Sequence, residues 1–96
     1  MLHIVTYDIP ATPQGTRRRQ RLARYLESLG LRVQWSVFEL LLPPERLPKI
    51  IGELGNLIDP AEDSVRIYTT CAACADRTLN LGRRAVIEHE EVLVWA

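Results

Sequence analysis

The chain has 96 residues, 47% of them hydrophobic, with twelve basic and twelve acidic side chains. That length allows one domain, residues 1–96, whose core buries only about 60–70% of the unfolded surface, so self-association would add stability. The hydrophobic content excludes a disordered chain; no apolar run nears the ~20 residues of a membrane helix, and the start Met1-Leu2-His3-Ile4-Val5 has no basic stretch of a signal peptide, so the expected compartment is the cytosol.

The neutral net charge is an average of two unlike parts. Residues 1–34 carry Arg17, Arg18, Arg19, Arg21, Arg24 and Arg32 against Asp8 and Glu27, an excess of +4. The remainder carries −4. Such asymmetry points to a localised basic surface. All six early cations are arginines, whose planar fork grips phosphate through two hydrogen bonds. A solvated helix face is the plainer reading of the same cluster.

Leu2 to Tyr7 is rich in β-branched and aromatic residues and predicts a strand that Asp8 ends. Pro10, Pro13 and Gly15 predict a loop. A helix follows from Gln14 or Thr16 to Ser28, with Leu22, Leu26 and Leu29 at helical spacing, widened by Ala23 and Tyr25, and with Gly30 just past its end. Leu31 to Leu42 is too β-branched and aromatic for a surface helix and too long for one strand, so it predicts two short strands breaking near Ser36. Pro43-Pro44 stops them, and Pro44-Glu45 suits a helix first turn. Leu47, Ile50, Ile51, Leu54, Leu57 and Ile58 then form the clearest helical stripe in the chain, ended by Asp59-Pro60. Ser64 to Thr70 predicts another strand. Residues 1–70 make the core. Residues 71–96 make a linker and tail, in which Val86-Ile87 and Val92 to Trp95 are candidate short strands.

The order βαββαβ is that of the α+β ferredoxin-like sandwich, a four-stranded antiparallel sheet with two helices on one face. Its other face is left uncovered, and in so short a chain such a face tends to meet a second copy. Trp35, Phe38, Tyr68 and Trp95 are candidates for it.

This fold hosts many functions, so the side chains must carry the functional reading. Asp8 sits at a sheet end beside the helix it feeds. Its plain role is to fix the loop or cap that helix. Its chemical role would be to bind Mg²⁺ while the arginines hold a phosphodiester. One carboxylate is a poor magnesium site, and Glu39, in the second strand region, is no obvious partner. A second Asp8 across a dimer axis would complete the site. There is no P-loop, dinucleotide-binding glycine motif or nucleophile elbow. Tyr7 and Tyr68 could stack on bases, although a core or sheet position is the plainer reading. Cys71 and Cys74 form one Cys-x-x-Cys without the second pair a structural zinc site needs, and His3 and His89 lie far off in sequence. The two thiols are expected to be partly buried in a connecting segment.

Val5-Thr6-Tyr7-Asp8-Ile9-Pro10, the arginine cluster at 17–21, Gly30 to Glu39, Asp63 to Tyr68 and the Cys71–Cys74 pair together resemble the smaller of the two core CRISPR adaptation proteins, the CRISPR-associated endoribonucleases. The resemblance covers nearly the whole chain. It implies the ferredoxin-like fold and a homodimer, with the C-terminal strand, here Val92 to Trp95, packed on the partner subunit. It implies Asp8 as catalytic residue and Mg²⁺ ligand, with the ion shared between the Asp8 residues of two subunits. It further implies a metal-dependent nuclease acting on single-stranded RNA or duplex DNA, and a complex with the CRISPR integrase in which the dimer bridges two integrase dimers. Arg17, Arg18, Arg19 and Arg21 are then the candidate nucleic-acid-binding residues. A non-catalytic nucleic-acid-binding scaffold is the alternative, and a metabolite-binding regulator a weaker one.

Overall fold

A computed structural model describes residues 1–82. Its elements are β1 (Leu2–Asp8), α1 (Pro13–Glu27), β2 (Leu31–Gln34), β3 (Val37–Leu41), a 3₁₀ turn (Pro44–Arg46), α2 (Leu47–Leu57), β4 (Ser64–Thr70) and the short α3 (Ala72–Ala75). The strands lie in the order β2-β3-β1-β4, and every neighbouring pair is antiparallel. This is the ferredoxin-like arrangement, with β1 as a central strand. The expected strand Val92 to Trp95 and the Val86-Ile87 pair lie outside the described residues.

Alternation along β1 decides which side chains meet the helices. Val5 and Tyr7 point to one face, joined across the register by Phe38 and Leu40 of β3. Against them pack Leu22, Ala23 and Leu26 of α1 and Ile50 and Leu54 of α2. Each fully buried Leu or Phe contributes roughly 1.5–3 kcal/mol of transfer free energy. Phe38 is fully buried on this helix-covered face, stacked on Tyr7 at 6.1 Å between ring centroids. The expectation that Phe38 lines the uncovered face is therefore corrected. Register pairing places Ile4, Glu39, Leu41 and Tyr68 on the opposite face, where Leu41 and Tyr68 are exposed. Trp35 belongs to neither face: it sits in the β2–β3 turn. Trp95 lies outside the described residues.

Two glycines are required by close approach rather than by backbone handedness. A Cβ on Gly15 would lie 2.0 Å from the Pro10 carbonyl oxygen. That contact seats the first turn of α1 directly on the loop leaving Asp8. Thr12 caps the same turn, its Oγ1 accepting from the Gly15 N–H at 2.9 Å. A Cβ on Gly30 would lie 2.2 Å from the Glu39 carbonyl oxygen. Gly30 thus allows the chain to cross β3 closely, which is a different reason from the helix-end role its position predicts.

His3 is fully buried. Its Nε2 donates to the Leu42 carbonyl at 3.3 Å, and its Nδ1 shares a hydrogen bond with the Thr69 hydroxyl at 2.9 Å. A buried ring so satisfied ties β1 to the ends of β3 and β4. None of the helices described is long and apolar enough to cross a membrane.

Candidate nucleic-acid and metal site

Asp8 is the last residue of β1, opposite Ser64 of β4, and is exposed. It shares the helix-free face of the sheet with Ile4 and Glu39 by alternation. It makes no ion pair among the described residues. The loop behind it is fixed by buried Ile9 and by the Gly15 contact. The helix cap is supplied by Thr12, so Asp8 is not needed for it.

Glu39 pairs with Ile4, four residues back from Asp8, or about 13 Å along the strand. That spacing is too long for both carboxylates to hold one ion. Glu39 is half-buried, and burial pushes its carboxyl above the usual range. Among the described residues no three His, Cys, Asp or Glu side chains gather as a metal site. The donor set at this strand end, among the described residues, is thus one hard carboxylate. It suits Mg²⁺ chemically, with the remaining positions filled by ligands other than this carboxylate.

The arginines of α1 point in three directions, because successive helical residues turn by about 100°. Arg18 flanks one side of the buried stripe and reaches Asp63, with Nε to Oδ2 at 2.7 Å and Nη2 to Oδ1 at 2.9 Å. Asp63, whose side chain is fully buried, also accepts the Asp59 N–H at 2.8 Å. Arg18 therefore locks α1 to the loop before β4, and its fork is occupied. Arg19, flanking the other side, is half-buried and hydrogen-bonds Thr16 at 3.3 Å. Arg17, Arg21 and Arg24 form an exposed row. Of the four arginines expected to grip nucleic acid, Arg17 and Arg21 are exposed and make no ion pair among the described residues, Arg19 is half-buried beside Thr16, and Arg18 is engaged within the fold.

The Arg18 guanidinium, helped by the Asp59 N–H, holds the Asp63 carboxyl below the usual carboxylate range. A depressed folded value means that this stabilisation is present above the unfolded value near ~3.9. It is lost as pH falls through the folded value. The stability difference between wild type and Asp63→Asn is expected to be largest near neutral pH and to shrink below about pH 4. Urea unfolding across that range measures it. A difference that stays constant down to acid pH would show that the pair's charge contributes nothing.

On the opposite flank, Arg32 of β2 clasps the β2–β3 turn. Its Nε and Nη2 donate to the Trp35 carbonyl at 2.9 and 2.7 Å, and Nη1 donates to Glu27 at 3.3 Å. Tyr7 donates its hydroxyl to the same Trp35 carbonyl at 3.2 Å. Burial pushes the Tyr7 phenol up, against the pull of Arg32 and Arg19, which keeps it a donor. Tyr7 is thus a core residue with one polar contact. Tyr68 is exposed, with the Arg66 guanidinium 5.9 Å from its ring.

Cys71 and Cys74 are both exposed free thiols, which corrects the expectation of partial burial. Cys71 caps α3, a helix of one turn in a segment that reads as linker, and its Sγ accepts the Cys74 N–H at 3.4 Å. That hydrogen bond lowers the Cys71 thiol, and the neighbouring Cys71 raises that of Cys74.

Fold and site together define a class: a ferredoxin-like domain with an exposed carboxylate at the end of a central strand and a helix that carries an exposed arginine row. The chain belongs to the family of CRISPR associated protein Cas2, whose model matches residues 1–78. It is 39% identical over 80 residues to the CRISPR-associated endoribonuclease Cas2 4 of Rhodospirillum rubrum, covering 83% of this chain and 61% of that protein. It is 33% identical over 96 residues to the CRISPR-associated endonuclease Cas2 of Halalkalibacterium halodurans, covering 99% of this chain and 100% of that one. The chain thus spans less than two thirds of the first relative and the whole of the second. The crystal structure of Streptococcus pyogenes Cas2 at pH 6.5 superposes with a TM-score of 0.76 at 36% identity, covering 85% of this chain and 100% of that one. A hypothetical protein of Thermus thermophilus gives 0.72 at 35% identity, covering 88% and 94%.

Proposed function

We propose that this chain is a CRISPR adaptation protein that works in the cytoplasm as a homodimer and cleaves phosphodiesters with Mg²⁺ held between two copies of Asp8. One observation carries the reading: Asp8 stands exposed at the end of a central strand, unpaired among the described residues. The relatives' names, endoribonuclease and endonuclease, support the reaction class. Mg²⁺, when bound, would polarise the phosphodiester and activate water. Asp8 would ligate it from each subunit. Arg17 and Arg21 would bind and orient the phosphate backbone of duplex DNA or single-stranded RNA. The exposed face with Leu41 and Tyr68 supports association with a second copy. The dimer would bridge the dimers of the CRISPR integrase.

One observation favours a second reading, a scaffold that holds duplex DNA and the integrase without cutting. A lone carboxylate is sparse equipment for hydrolysis, and among the described residues no three His, Cys, Asp or Glu side chains gather as a metal site.

Both readings require the arginine row to bind phosphate. The double variant Arg17→Ala/Arg21→Ala is expected to weaken duplex binding alike for all sequences. It should reduce the salt slope by about one to two phosphate contacts. Fluorescence anisotropy over a salt series measures this. An unchanged slope would show that the row is only solvated. Labelled RNA and duplex DNA incubated with Mg²⁺ or with a chelator then separate nuclease from scaffold. The nuclease reading expects products only with Mg²⁺.

A further inference from the structure

We propose that the cleft between α1 and the β2–β3 turn is a binding site for one unpaired nucleotide, with its base on Trp35 and its phosphate between Arg19 and Arg24. The cleft has a volume of about 620 Å³, within the range of small-ligand sites, and is lined by Tyr7, Arg19, Arg24, Glu27, Arg32 and Trp35 among others.

Trp35 is the first feature to explain. The residue is 85% exposed, although tryptophan is one that folding normally covers. The turn that carries it is held from below. The Trp35 carbonyl accepts from two nitrogens of Arg32 and from the Tyr7 hydroxyl. Arg32 is itself braced by Glu27 and lies 5.4 Å from the indole centroid. The ring is therefore displayed on a fixed turn, and ordering it on binding costs little. A planar apolar ring presented to water beside cations is a stacking platform for a base.

Charge selects the occupant. Three arginines line the cleft against one glutamate, and Glu27 is already engaged by Arg32. Arg19 and Arg24 are left for an anion. Arg24 also belongs to the exposed row with Arg17 and Arg21, so the cleft continues that row. A strand running along the row could turn one base into the cleft without leaving the arginines. A base pair inside a duplex cannot enter, because its faces are covered by its stacked neighbours and its edge is held by its partner strand. Single strands are therefore the matching class, and stacking is tolerant of sequence.

The proposal rests on the nucleic-acid reading above only for the class of occupant. Its test is run in chelator, so failure of Asp8 chemistry does not affect it. The probes are a short oligothymidylate containing one 2-aminopurine and a blunt duplex of matching length. Trp35→Ala is expected to weaken the single strand roughly tenfold and leave the duplex unchanged. Trp35→Phe should restore most of the affinity. Arg24→Ala should lower the single-strand salt slope by about one phosphate. The exposed indole makes misfolding of Trp35→Ala unimportant, and circular dichroism checks it. Unchanged single-strand affinity in Trp35→Ala overturns the proposal, as does equal weakening of single strand and duplex. A lower assembly mass by light scattering, accompanying the lost affinity, also overturns it: Trp35 would then pack on a second copy.

Discussion

Asp8→Asn is expected to reduce Mg²⁺-dependent cleavage by at least the roughly 100-fold that loss of a supporting residue costs a metal site, since here a ligand itself is removed. Folding should be untouched. Asp8 is exposed, makes no ion pair among the described residues, and leaves the helix cap to Thr12. Asparagine keeps the shape and the strand pairing to Ser64 but not the charge. Added Mg²⁺ should not rescue the variant, and integration of new DNA with the integrase should remain intact. The readouts are cleavage rate, thermal midpoint and integration product, measured on one preparation. Cleavage surviving in Asp8→Asn would remove Asp8 from the reaction and leave the scaffold reading.

Phe38→Ala is expected to cost about 3–5 kcal/mol, the usual range for emptying a fully buried aromatic position. Phe38 is fully buried, stacks on Tyr7 and lies under the Arg32 guanidinium at 5.3 Å. It therefore supports both the core and the clasp of the β2–β3 turn. Domains of this kind hold only about 5–15 kcal/mol in total, so a large share of stability is removed. Urea denaturation should show a lower midpoint with an unchanged slope. A loss below about 1 kcal/mol would mean that the site collapses around the smaller side chain and that Phe38 is not central to the core.

Much of this architecture was legible in local pattern. β1, the helical stripe of Leu22 and Leu26, the break near Ser36 and the long stripe of α2 each carry a period or a breaker that acts within a few residues. α2 itself begins later than Pro44-Glu45 imply, because the chain first makes a 3₁₀ turn over Pro44–Arg46. What was not legible depends on distance or on parity. The face of Phe38 depends on where β2 yields to β3. The register shifts between Arg32 and Gln34, and a one-residue slip exchanges the two faces. The commitment of Arg18 to Asp63 joins positions 45 residues apart, and no local signal separates Arg18 from the arginines on either side. The four residues of α3 are too few to show a helical period, so the exposure of Cys71 and Cys74 had no pattern to announce it. The trapped His3 is equally silent, since its partners Thr69 and Leu42 come from other strands and their ends. At the site, the sequence locates Asp8 at a strand end and beside arginines. The second copy in the proposed site has no sequence signal at all; it is suggested by chemistry, because a lone carboxylate leaves most of the octahedral Mg²⁺ positions to other ligands.

The central claim is that two copies of Asp8 share one metal ion. Mn²⁺ in place of Mg²⁺ permits a direct count by electron paramagnetic resonance, alongside light scattering for the number of chains. The account predicts one tightly held ion per pair of chains, lost in Asp8→Asn while the pair of chains persists. One ion per single chain, or an ion retained in Asp8→Asn, would contradict it.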